Sequence, residues 1–265
     1  MDVGLVGCGN IGKIIAHSIC KGEIDASLIA ITDKHKKKAK KLKSELKCTP
    51  KINEIDSLVK KSELVIEAAS IKAVEEVAKK ALQNNCEVML MSVGALADEN
   101  LKKEIEKLAR KNDLNIYLPS GAICGLDGIK SASSAKLNEV KITTKKPTES
   151  LEGAPGAKGI KKIKKQKTIF EGNAKEAIEL FPKNVNVSTA LSLAGIGTQK
   201  TKVEIIANPN LEENIHEISA KGEFGELKTV VKNIPSPQNP KTSYLAALSA
   251  ISTLKKIISP IKVGT

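Results

Sequence analysis

Residues 7–12 read Gly-Cys-Gly-Asn-Ile-Gly, and their setting constrains the fold more than any other feature of the chain. The apolar stretch 3–7 (VGLVG) precedes them and reads as a strand. A helical pattern follows over 11–20, with Ile14, Ile15, Ser18 and Ile19 on one side. The next β-type run, 27–32 (SLIAIT), ends at Asp33. A glycine-rich turn alone says little. Between a strand and a helix, with an acid closing the second strand, it is the dinucleotide fingerprint. Gly7 permits the tight turn, Gly9 leaves room for a pyrophosphate, and Gly12 lets helix and strand pack closely. The helix start offers N–H groups and a partial positive charge to phosphate. Gly7, Gly9, Asn10, Ile11 and Gly12 are the expected cofactor contacts, and Asp33 the acceptor for a ribose 2′-OH, which favours NAD. Lys34, His35, Lys36 and Lys37 come next and offset the repulsion of a 2′-phosphate, so the cofactor is read as NAD or NADP.

The alternation continues. A basic helix follows Asp33, then strand 64–69, a helix with Val74, Val77, Ala78, Ala81 and Leu82 on one face, and strand 87–93. Asp98 is placed to cap the next helix, and 115–119 reads as another strand. Strands alternating with helices predict crossover units and a parallel sheet buried on both faces. Ligands in such sheets bind at the carboxyl ends of the strands. This adds Ala68, Ala69, Ser92 and Ala122 to the expected cofactor contacts.

Near residue 123 the pattern changes to longer strands with few crossovers. The expected fold class is α/β: a Rossmann-type doubly wound parallel sheet over 1–122, plus a smaller α+β domain with a mixed or antiparallel sheet over 123–241. Within the second part, VSTALSLAG reads as a helix with Val187, Ala190, Leu191 and Ala194 on one face. Residues 153–167 read as a mobile basic loop and 234–241 as a proline-rich connection. A final helix, 242–258, begins at Thr242 or Ser243, carries Leu245, Leu248, Ile251 and Leu254, and is expected to pack back on the first domain.

At 265 residues the chain fits one large domain or two ordinary ones. Its net charge of +13 invites a nucleic-acid reading. Of 43 basic residues, however, only Arg110 is arginine, and aromatics make up 2%. Bidentate phosphate forks and stacking rings are thus almost missing, and no nucleic-acid partner is expected. No apolar run reaches the ~18 residues of a membrane span. The cysteines at 8, 20, 48, 86 and 124 are scattered, which predicts reduced thiols, a cytoplasmic protein and no metal site.

His216 stands apart from His17 and His35. In a strand it shares a face with Ile218 and Ala220, as a core histidine does, and as a general base near neutral pKa also can. Cys124 has no histidine near it in sequence and reads as a plain buried thiol.

Taken together, GLVGCGNIG, SGAICGLDGIKSA (120–132), FPKNVNVSTALSLAGIG (181–197), ANPNLEENIHEI (207–218) and NPKTSYLAALSA (239–250) resemble the L-aspartate dehydrogenase family over essentially the whole chain. The resemblance implies a homodimer that oxidises L-aspartate with NAD or NADP to iminoaspartate, which hydrolyses to oxaloacetate and ammonia. It also implies a link to NAD biosynthesis through quinolinate synthase. By motif, Ala122 and Asn186 match cofactor-contacting positions, and His216 matches the catalytic histidine. Other Rossmann reductases of aspartate-family metabolism, of the dihydrodipicolinate reductase or homoserine dehydrogenase type, stay open, as does a non-catalytic NAD(P)-binding protein.

A dicarboxylate substrate turns the single arginine into a constraint. Arginine forks commonly hold carboxylates, and Arg110, late in a helix, is expected far from the strand ends. Lys241, Thr242 and Ser243 at the start of the final helix form one candidate substrate-binding cluster, and Lys145 with Lys146 another.

Overall fold

The computed structural model describes residues 1–182, 185–236 and 239–265, and of 185 and 239–241 the backbone alone. They form two compact units, 1–119 with 247–263, and 120–246 with 264–265.

The first unit runs β1 (Asp2–Val6), α1 (Asn10–Cys20), β2 (Ser27–Thr32), α2 (Lys36–Glu45), β3 (Lys51–Ile52), α3 (Ile55–Val59), β4 (Leu64–Glu67), α4 (Ile71–Gln83), β5 (Glu87–Leu90), α5 (Glu99–Lys111) and β6 (Ile116–Tyr117). The six strands pair in parallel in the order β3-β2-β1-β4-β5-β6. That is the doubly wound order with its switch point beside β1. Every residue of β4 is buried, as a parallel sheet covered on both faces requires. Asp98 caps α5, accepting from the amides of Asn100 (2.9 Å) and Leu101 (3.3 Å). Two elements escaped sequence reading, β3 and α3. At two and five residues they are too short to show a period.

One cysteine expectation is overturned. Cys20, the last residue of α1, is joined by a disulfide to Cys48, just past α2, with Cα atoms 5.3 Å apart. Spacing of 28 residues along the chain says nothing about this proximity, which the βαβα winding creates.

The second unit contains α6 (Leu126–Ala132), β7 (Leu137–Lys146), α7 (Thr148–Leu151), β8 (Lys167–Asn173), α8 (Ala174–Leu180), α9 (Val185–Ala194), β9 (Lys202–Ala207), β10 (Asn214–Gly222), β11 (Gly225–Asn233), β12 (Pro235–Ser236) and β13 (Asn239–Ser243). Five strands form a sheet in the order β11-β10-β7-β9-β8. The β7–β9 pair is parallel and the other pairs antiparallel, so the sheet is mixed, as the sequence predicts. The helix α10 (Tyr244–Ile258) leaves this unit. From Ala247 onward it belongs to the first unit, where Ala250 and Leu254 enter the core with Leu5, Ile31 and Ile66.

Four local expectations need correction. The segment 153–167 is anchored rather than free: Ala157 and Ile160 are buried, and the Gly156 amide donates to the Leu180 carbonyl. Small and apolar residues between its lysines do the anchoring. The proline-rich stretch forms the β12–β13 ladder, so Thr242 and Ser243 lie in a strand just before the final helix. The buried face of that helix is Ala247, Ser249, Ala250 and Leu254, with Ile251 partly buried against the same core, whereas Leu248 is exposed. Lastly, α9 buries Ser188, Thr189 and Ser192 alongside Ala190 and Leu191, a more polar face than its apolar stripe predicts.

Candidate active site

The turn from β1 into α1 has the shape that its glycines predict. Gly7 sits at φ +104°, and a Cβ there would stand 2.5 Å from the Ala68 carbonyl oxygen. A Cβ on Gly12 would run into the Gly7 carbonyl. Around Gly9 a Cβ meets nothing within 4 Å. The first two glycines are therefore demanded by the fold, and the third leaves open space. The first helical bond of α1 is Lys13 N–H to the Gly9 carbonyl, so the amides of Ile11 and Gly12 have no carbonyl partner within the helix. No acid occupies the first turn. Asp33 reaches back to this loop: its Oδ2 accepts from the Cys8 amide at 2.9 Å and its Oδ1 from the His35 amide at 2.8 Å. Each oxygen keeps a lone pair for another donor. Open space at Gly9, helix amides and an oriented carboxylate fit a nicotinamide dinucleotide.

Glu67, at the carboxyl end of β4, is a site residue that sequence reading missed. It is fully buried. Its Oε1 accepts from the Ala69 amide (2.7 Å), the Ser70 amide (2.9 Å) and the Ser92 hydroxyl (3.0 Å), and its Oε2 from the Ser92 amide (3.0 Å). Burial raises its pKa, and these hydrogen bonds oppose the rise. The carboxylate ties the loops after β4 and β5 together. The amides of Ala69 and Ser92, two positions expected to contact a cofactor, are thereby engaged by Glu67. An acid inside an apolar run (LVIEAA) was the available signal.

In the second unit His216 is 3% exposed, on one face of β10 with buried Ile218 and Ala220. Its Nδ1 lies 3.0 Å from the Thr144 hydroxyl of β7, its register partner. Burial first, and the charge of Lys146 second, push its pKa down to about 3, so the imidazole is neutral and its pKa is not the near-neutral one expected from the sequence. Thr144 was not read from the sequence, because only strand register brings it opposite His216. Asn233 lies in the same region, opposite Asn214, and its Nδ2 donates to the Ala122 carbonyl at 3.0 Å. Asn186 is an exposed residue in the first turn of α9.

The remaining candidates are dispersed. Thr242 and Ser243 belong to β13, and the Lys241 side chain lies outside the described residues. Arg110 is exposed in the last turn of α5, the end remote from the carboxyl ends of the strands. Burial holds the Cys8 thiol at about 12, unreactive at neutral pH, and Cys124 is free and exposed rather than buried.

Comparison with known proteins separates the two halves. Residues 7–119 match the family described as homoserine dehydrogenase, NAD binding domain, and residues 127–257 match aspartate dehydrogenase, C-terminal. The first half thus carries an NAD-binding domain of the kind described for homoserine dehydrogenase, and the second half is the one that matches aspartate dehydrogenase. The chain is 50% identical to an L-aspartate dehydrogenase of Methanosarcina barkeri and 45% identical to one of Methanocaldococcus jannaschii, with 100% of both chains covered in each case. Among solved structures, aspartate dehydrogenase from Thermotoga maritima superposes with a TM-score of 0.78 at 29% identity, covering 100% of this chain and 99% of that one. A scyllo-inositol dehydrogenase from Lactobacillus casei, solved with NAD(H), shares the fold at a TM-score of 0.60 and 14% identity, over 100% of this chain and 91% of that one. By its full-length identity to these relatives, and by the motifs of its second half, this chain belongs to the L-aspartate dehydrogenase family.

Proposed function

We propose that the protein oxidises L-aspartate to iminoaspartate with a nicotinamide dinucleotide, and that water then releases oxaloacetate and ammonia. The observation that carries this reading is His216, a buried neutral imidazole held by Thr144, in the half that matches aspartate dehydrogenase. A bound nicotinamide supplies the hydride acceptor. Gly7, Gly9, Asn10, Ile11 and Gly12 would hold its pyrophosphate, Asp33 the adenosine ribose, and Ala68, Ala69, Ser92, Ala122 and Asn186 would line the rest. Asp33 favours NAD, and exposed Lys34, Lys36 and Lys37 allow NADP as a second coenzyme.

The substrate amine must be neutral for its lone pair to drive hydride departure from Cα. His216 is the base that takes its proton, and its low ligand-free pKa means that it does so only once the substrate's negative charge stabilises the imidazolium beside Lys146. When Nδ1–H donates to Thr144, Nε2 keeps the lone pair for this step. Once that proton has passed to solvent, the same Nε2 is free to activate the water that attacks the imine carbon. Thr144 fixes the ring, and Glu67 fixes the loops beside the cofactor.

We further propose a homodimer, supported by exposed Val230 and Ile234 on the second unit, and delivery of the imine to quinolinate synthase. The test of the activity is a panel of L-amino acids with NAD and with NADP, followed by the absorbance of the reduced nicotinamide. Turnover with L-aspartate above all others is expected. Preference for L-homoserine, or no turnover with any amino acid, would overturn the reading.

A further inference from the structure

The face of the sheet that carries His216 holds another titratable side chain, Lys146, the last residue of β7. Thr144 is the register partner of His216, and Lys145 that of Ile215. Side chains alternate across a strand, so Lys146 stands on the face of Thr144 and His216, one step nearer the end of the sheet. On its other side its register partner is Ala207 of β9. Asn214, two residues before His216, is on the same face and pairs with Asn233 of β11. Lysine, histidine, threonine and two buried asparagines thus share one corner of the sheet.

This corner is unbalanced in charge. Lys145 points to the opposite face and pairs with Glu217 at 2.6 Å. Lys146 has no carboxylate within ion-pair distance among the described residues. Lys146 is only partly buried by accessible surface, yet desolvation within the corner still lowers its pKa to about 8, and its charge is felt by His216. A desolvated cation lacking an anion is unfavourable until one arrives. Buried acceptors lie unmatched as well: Asn214 Oδ1 and Asn233 Oδ1 have no donor. A cation wanting an anion, and carbonyl oxygens wanting N–H donors, are together the complement of an amino acid. The protein's one arginine is not a competitor, because it is exposed at the far end of α5.

We propose that Lys146 is a specificity-determining residue that binds a carboxylate of the amino-acid substrate, in the corner it shares with His216, Asn214 and Asn233. This rests on the activity proposed above and adds the ligand that the missing arginine would otherwise provide.

The test compares wild type with Lys146→Met, which keeps the stem and removes the charge, and Lys146→Arg, which restores a cation. With Lys146→Met, KM for L-aspartate should rise about 10- to 100-fold, the range for a charge-assisted hydrogen bond. NADH affinity, read by its fluorescence, should stay within about twofold, which also certifies folding. Lys146→Arg should recover part of the loss. If Lys146 holds the side-chain carboxylate, Lys146→Met loses discrimination between L-aspartate and L-asparagine; if it holds the α-carboxylate, both substrates weaken together. An unchanged KM and unchanged discrimination would overturn the proposal. Should wild type fail to oxidise L-aspartate, the activity reading falls by itself. Calorimetric titration of succinate into the NADH complexes then still decides on Lys146. Binding to wild type that Lys146→Met abolishes supports the assignment, whereas equal binding or none at all refutes it.

Discussion

In the first unit the groups proposed to meet a ligand are mostly backbone: the Ile11 and Gly12 amides, the bare Cα of Gly9, and a loop frame tied by Glu67. In the second they are side chains: the His216 imidazole, the Thr144 hydroxyl, the Lys146 ammonium and two asparagines. The backbone site spans six consecutive residues and tolerates any sequence that keeps its glycines. The side-chain corner draws on β7, β10 and β11, with partners 72 residues apart, so strand register alone assembles it. This matches the division of labour among relatives. Residues 7–119 match the homoserine dehydrogenase NAD binding domain, and residues 127–257 match aspartate dehydrogenase, C-terminal.

The contrast predicts different kinds of damage. Reducing the Cys20–Cys48 bond should loosen only the first unit. A 28-residue loop is worth about 3–4 kcal/mol in chain entropy, read as a lower Tm of that unit with dithiothreitol. Equal destabilisation of both units would break the separation. Next, Gly7→Ala should cost about 1–3 kcal/mol of stability, because it forces a Cβ onto +104° backbone beside the Ala68 carbonyl. Gly9→Ala, with open space around it, should leave Tm unchanged and weaken only NAD binding. Thermal melts with and without NAD separate the two.

His216 gives the matching test for the second unit. Its folded pKa of about 3 lies below the unfolded 6.5. Between those values the unfolded chain holds the extra proton, so stability rises with pH, and is lost as pH falls from 6.5 towards 3. Wild type should lose about 1.4 kcal/mol more per pH unit in that window than His216→Gln. Urea titrations at pH 6.5 and 5 read the slope, and identical slopes would show that the imidazole is solvated. The smallest effect is expected at Asp98→Ala, about 1 kcal/mol from a lost helix cap, with no change in KM for either substrate.

Legibility in the sequence followed the same divide. The parallel sheet, the glycine turn into α1 and the Asp98 cap were readable because each depends on neighbours within a few residues or on one repeated period. Glu67 was hidden by its own solvation, an acid that looks out of place until the Ala69, Ser70 and Ser92 donors are seen around it. Thr144, and the choice between Lys145 and Lys146, were hidden by topology. In TTKK nothing marks which lysine faces the histidine; only the pairing of Thr144 with His216, with side chains alternating along the strand, puts Lys146 on its face. The Cys20–Cys48 bond and the anchoring of 153–167 likewise arise from contacts that sequence spacing does not encode.

The most direct test concerns the buried base. Single-turnover mixing of NAD-saturated protein with L-aspartate, monitored at the reduced-nicotinamide band, isolates hydride transfer in wild type and His216→Ala. A loss of about 10²–10⁴-fold in the variant, with NAD affinity unchanged, is the predicted result. Hydride transfer at the wild-type rate in His216→Ala would contradict it.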